Sequence, residues 1–244
     1  MQRIIPILII GLILMNLMAI QPQNARSDGM QIALTGAQKA IVPIAAFAAE
    51  GNEVKLKTAL ESGLDAGLSV NAIREILIQL YAYAGFPRSL SALETFRKLV
   101  EERKAKGIRD ETGLSPKTLP ANADKYRIGG KIQTDLVGRP VDGPLYEFAP
   151  AMDVFLKEHL FCDIFTRNVI SEKDRELATI SALAALPAPA QLASHLRVCQ
   201  HIGFKEKELR DVANILATSV SETDGKLVND LLDKMNFGDK KDGK

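Results

Sequence analysis

Tryptophan is absent from this 244-residue chain, and nine phenylalanines and four tyrosines are its only aromatic residues. So few rings leave little for stacking on bases or sugars. Charge is equally uninformative about a polyanion: 31 Lys and Arg face 30 Asp and Glu, a formal charge of +1. Nucleic-acid binders draw most of their affinity from excess positive charge, so no nucleic-acid partner is expected. Two cysteines cannot build a disulfide framework, and with three histidines they cannot repeat a zinc module. No cofactor-binding motif stands out, and neither a cofactor nor a metal is expected. What the chain does have is 46% apolar residues, ordinary for a globular protein.

Residues Met1 to Arg3 carry one positive charge, and an apolar run follows from Ile4 to Ile20 before the chain turns polar at Gln21. A basic start, an apolar stretch and a small-residue exit predict a secretory signal over residues 1–25, cut just after Ala25. The alternative is a retained anchor, for which seventeen residues sit at the lower limit of a bilayer span. The expected location is periplasmic or secreted, with no stable membrane association once the signal is cut.

Periodicity after residue 30 is helical throughout, which predicts an all-α fold. Helices are expected from about Thr35 to Ala49, Glu53 to Ala66, Val70 to Ala84 and Ser89 to Lys104. Pro43 should kink the first or mark its true start. Residues 106–150 hold six Gly and five Pro, and predict an irregular linker on the surface. Helical signals return from Ala151 to Phe165, then from Glu172 to Leu186 behind a Ser171 capping box. They continue to Ile202, and again over Glu206 to Val220 and Gly225 to Met235. Residues 237–244 form a charged tail. A shift of 136 residues lays one half on the other, pairing Ile44 with Ile180, Leu56 with Leu192, Gly67 with Gly203 and Arg74 with Arg210. An internal duplication follows, with repeats over residues 30–105 and 151–236.

Three stretches carry a family resemblance. One is Leu68-Ser69-Val70-Asn71-Ala72-Ile73-Arg74-Glu75-Ile76-Leu77 with Tyr83-Ala84-Gly85-Phe86-Pro87. The second is Phe161-Cys162-Asp163-Ile164-Phe165-Thr166-Arg167. The third runs from Asp174 to Ile180 and from Gln191 to Arg197, a helix pair with His195 near the middle of its second member. Together they resemble the carboxymuconolactone decarboxylase family, which also holds the AhpD-type alkylhydroperoxidases. The resemblance implies two tandem AhpD-like helical repeats, and a homo-oligomer, trimer or hexamer.

Imidazole is the side chain whose proton moves near neutral pH, which makes His195 the first catalytic candidate. A core-edge histidine satisfied by a backbone carbonyl is the alternative. Glu176, nineteen residues earlier, is its partner by resemblance, although helix arithmetic leaves the two about one turn apart. Asp163 stands where the decarboxylases carry Glu, and Arg167 where their motif has Arg. Arg167 and Arg197 are the candidate clamp for an anionic substrate, since a guanidinium grips a carboxylate with two parallel bonds. Asp163 and Arg167 are equally readable as an ion pair at helical spacing. The peroxidase cysteines fall at Ala188 and Gln191, so that branch's dithiol is missing. Cys199, one turn past His195, reads either as a thiol activated by it or as a small buried hydrophobe. The expected function is a cofactor-free lyase acting on a small carboxylated lactone or similar anion, with His195 as proton shuttle. A hydroperoxide reductase and a non-catalytic exported helical oligomer are the alternatives.

Overall fold

Thr35 opens the first helix of the computed structural model, which describes residues 34–186 and 188–237. The expected signal, and the tail beyond its first residue, lie outside the described residues. The Thr35 hydroxyl accepts from the Gln38 amide at 3.2 Å while the Gln38 side chain accepts from the Thr35 amide at 3.1 Å. This reciprocal cap fixes the start of α1 (Gly36–Glu50). Pro43 therefore neither starts nor ends the helix. It opens the third turn, where the carbonyl it leaves unbonded belongs to Lys39, near the helix start.

The remaining elements are α2 (Glu53–Asp65), α3 (Val70–Gln79), α4 (Tyr81–Ala84), α5 (Phe86–Ala105), α6 (Lys125–Val137), α7 (Pro144–Phe148) and α8 (Pro150–Val154). A π-helix (Phe155–Ile164) and a 3-10 turn (Phe165–Arg167) lead into α9 (Glu172–Ala185), α10 (Pro189–His201), α11 (Glu206–Ser219) and α12 (Glu222–Leu232). Among the described residues there is no strand, and the fold is all-α. No described helix is long and apolar enough to cross a membrane.

Helices α1, α2, α3 and α5 begin at Gly36, Glu53, Val70 and Phe86, and α9 to α12 begin at Glu172, Pro189, Glu206 and Glu222. Each start in the second set lies 136 residues after its counterpart. Gly67 and Gly203 occupy the same place in the two sets, with φ of 94° and 91° that disfavour any other residue. Helices α1 and α9 pack against each other at the centre. Residues 44–49 of α1 and 175–184 of α9 are buried without a break, too wide a face for a surface helix. The Gln38 side chain donates through Nε2 to Asp174 at 3.1 Å across this contact, again a pair 136 residues apart.

The expected irregular linker at 106–150 is helical in part. Residues 111 and 112 bond the start of α3 through Val70 and Asn71, and residues 125–137 form α6, which packs along the π-helix. Gly129 and Gly130, two of the six glycines in this stretch, lie inside α6. A Cβ on Gly129 would stand 1.7 Å from the Lys157 carbonyl oxygen. The glycine permits close helix contact there rather than a turn. A second apolar cluster gathers Leu136, Phe161, Ile164, Phe165 and Val198, joining this layer to α10.

Candidate active site

Ser171 caps α9 by accepting from the Asp174 amide at 3.1 Å, which sets the register of everything after it. Glu176 then falls on the inner side of α9 with 2% of its side chain exposed. His195, on α10, meets it: Nδ1 lies 2.8 Å from Oε2 of Glu176. The offset of about one turn expected from helix arithmetic is therefore closed. Burial disfavours charge on the His195 ring, but the Glu176 carboxylate acts against this by proximity and hydrogen bond. The net result is an imidazole pKa above its ordinary value. A carboxylate acceptor at Nδ1 fixes the proton there and leaves Nε2, which has no partner among the described residues, for chemistry.

Tyr83 forms the third side of the site, and sequence alone had shown it only as part of a motif. Its ring stands edge-on to His195, with centroids 5.6 Å apart and planes at 80°. Its hydroxyl oxygen is buried and makes no hydrogen bond among the described residues. Burial, and then the Glu176 charge, push the phenol well above its usual pKa, so it stays protonated.

Behind Tyr83 runs a row of buried polar side chains. Glu75, Gln79 and Tyr83 follow at four-residue steps along α3 and α4, a spacing that was available in the sequence as one helix face. Arg175 donates to Glu75 and to the Ile164 carbonyl through Nη2, both at 3.0 Å, and to Gln79 through Nη1 at 2.9 Å. The Gln79 amide donates to the Arg175 carbonyl at 3.0 Å and to Thr179 at 2.9 Å. Arg167 reaches the same Glu75 carboxylate through Nε at 2.9 and 3.0 Å. Two guanidinium groups thus share one carboxylate.

Asp163 is elsewhere. It pairs with Lys125 of α6 at 2.9 Å and with His159 Nδ1 at 3.1 Å, and His159 in turn meets the Tyr81 hydroxyl. The expected pairing of Asp163 with Arg167 does not form. Residues 155–164 are π-helical and 165–167 a 3-10 turn, so a four-residue step across that junction no longer stays on one face. Arg197 is also displaced from the site. Two residues from His195 on an α-helix is about 200° of rotation, and Arg197 is exposed beside Gln200, Leu231 and Lys234. Cys162 and Cys199 are both free and buried. Burial and the nearby Glu176 charge lift the Cys199 thiol well above its usual pKa, the opposite of an activated nucleophile. Among the described residues no group of three or more His, Cys, Asp or Glu is placed to hold a metal ion.

Residues 150–221 match the model of the carboxymuconolactone decarboxylase family. The match takes in the π-helix, Arg167, and α9 to α11, and so both Glu176 and His195. Tyr83, Glu75 and Gln79 lie outside it, although they complete the same site. The family match supports decarboxylase-like or AhpD-like chemistry at the level of the family. No curated protein matches the chain.

Proposed function

We propose that the protein is a cofactor-free lyase acting on a small carboxylated lactone or similar anion, with His195 as its proton shuttle. The observation that carries this is the 2.8 Å contact of His195 Nδ1 with the buried Glu176 carboxylate. Glu176, rather than Asp163, is the residue that steers the ring. The raised pKa favours the protonated ring, in which Nε2–H is the acid. Loss of carbon dioxide breaks the bond from the ring carbon to the carboxyl carbon and leaves its electron pair on the substrate as a dienolate. Nε2–H then protonates that carbon, and solvent later reprotonates the imidazole. Arg167, 30% exposed and anchored at Nε by Glu75, supplies the positive field for the anion. Arg197 has no part in this scheme.

The thiol-peroxidase alternative lacks support at the thiol: positions 188 and 191 are Ala and Gln, and Cys199 is sealed in the core. The recurring helix starts and the Gln38–Asp174 contact support an internal duplication, with repeats over 30–105 and 151–236 around the segment 106–150. The counterparts of Glu176, His195 and Tyr83 under that duplication are Ala40, Ala59 and Ser219, so only one of two related positions keeps its chemistry. A homo-oligomer, trimer or hexamer, and export through the leader at 1–25 complete the proposal.

The test is carbon dioxide release from a panel of small lactone acids by the purified chain, with His195→Ala alongside. A positioned general acid contributes roughly 10²- to 10⁴-fold, and a loss of that size is expected. Release that survives His195→Ala contradicts the proposal. Absence of turnover across the panel favours the non-catalytic oligomer.

A further inference from the structure

A cavity of about 590 Å³ opens where the 117–119 stretch crosses the 3-10 turn and the start of α9. Phe165, Ile132 and Ile170 give it apolar walls, while Lys117 and Arg175 bring positive charge to it. Its size falls within the range of small-molecule sites, and it sets an apolar wall beside a polar and charged one. Arg175 is the informative residue. Its side chain is 1% exposed, yet it lines the cavity.

Charge around this cavity is unbalanced. Arg167 and Arg175 share Glu75 as their carboxylate partner. Lys117 adds a further cation at the mouth, where it is exposed, and Glu172 on the rim offsets one charge. Among the residues that line the cavity, Lys117 and Arg175 against Glu172 leave one positive charge over. Arg175 shares the Glu75 carboxylate with Arg167, and an anion in the cavity gives its charge a further partner.

We propose that this cavity binds a small monocarboxylate with an apolar ring, its carboxylate towards Lys117 and Arg175 and its ring against Phe165. An inorganic anion would meet the charge but waste the apolar wall. A neutral ring would meet the wall but leave the cationic side unanswered.

Binding is read without turnover, so the proposal stands or falls apart from the chemistry assigned to His195. The probes are 4-fluorobenzoate and its neutral counterpart 4-fluorobenzamide, followed by fluorine NMR and by amide shifts of the isotopically labelled chain. Fluorobenzoate is expected to shift the amides of Lys117, Thr118 and residues 165–172 in a saturable way, and fluorobenzamide to bind at least tenfold more weakly. Lys117→Glu should weaken fluorobenzoate at least tenfold. Thr118→Trp, at an exposed loop position, should abolish binding by filling the cavity. Both substitutions lie outside the core, so each variant's amide spectrum reports whether it is folded. Absence of saturable shifts at these residues, equal binding of the two probes, or unchanged affinity in both cavity variants overturns the proposal.

Discussion

Glu75 holds two guanidinium groups on one carboxylate that is 2% exposed. A buried ion pair adds little over a well-packed apolar substitute, but removing one partner leaves the others charged and unpaired. Glu75→Ala should therefore destabilise the protein by about 3–5 kcal/mol, read as a fall in the urea midpoint with an unchanged slope. A loss within about 0.5 kcal/mol, the range of ordinary surface changes, would show that the pairs are not held in solution. The sequence displayed Glu75 in a motif but gave no sign that Arg167 and Arg175 both turn to it. Which acid a given Arg meets depends on the packing of α3 against α9, nearly one hundred residues apart, and local spacing carries no such information. His195 and Glu176 were legible because the resemblance named them together. Asp163 and Arg197 were misplaced because the helical face they were assigned to is broken in one case and turned outward in the other.

Helix α6 shows how one residue type can mislead at the scale of an element. Adjacent glycines in a stretch rich in proline suggest a break, yet Gly129 is where α6 meets the Lys157 backbone. The two glycines should respond to alanine with opposite sign. Gly130→Ala finds its nearest neighbour, a Lys157 side-chain carbon, at 3.7 Å, an ordinary contact. It should stabilise the chain by about 0.5–1 kcal/mol through helix propensity. Gly129→Ala drives a methyl into a carbonyl at 1.7 Å, and should destabilise by at least about 1–3 kcal/mol as α6 is pushed away. Thermal or urea melts of the two variants decide it, and a gain in stability for Gly129→Ala would refute the close packing. The capped helices α1 and α9, by contrast, start within a residue or so of where Thr35 and Ser171 predict. A cap is a local interaction, and local interactions are what a sequence displays. The π-helix at 155–164 is not local in this sense, since its wide turn is held by packing against α6.

At the scale of the molecule, the two sets of helices are not separable. Helix α1 buries its long apolar face on α9, and the polar row from Glu75 to Thr179 crosses the same boundary. A fragment of residues 150–237 covers the whole family match but strips α9 of that cover. It should lack a cooperative melt and bind a hydrophobic dye, whereas residues 34–237 should melt in one step. A cooperative transition for the fragment would mean that the second set folds alone. The site follows the same logic, since its proton carrier comes from α10 and Tyr83 from α4, between two helices of the first set.

The central claim is that Glu176 tunes His195 for proton transfer, and a titration of the His195 ring by NMR tests it most directly. Glu176 raises the pKa and burial lowers it, with Glu176 prevailing. The native chain should therefore titrate above the ordinary value of about 6.5. Glu176→Gln removes the anion and leaves the burial, so its His195 should titrate below that value. The same midpoint in both proteins, or a native midpoint at or under the ordinary one, would contradict the account.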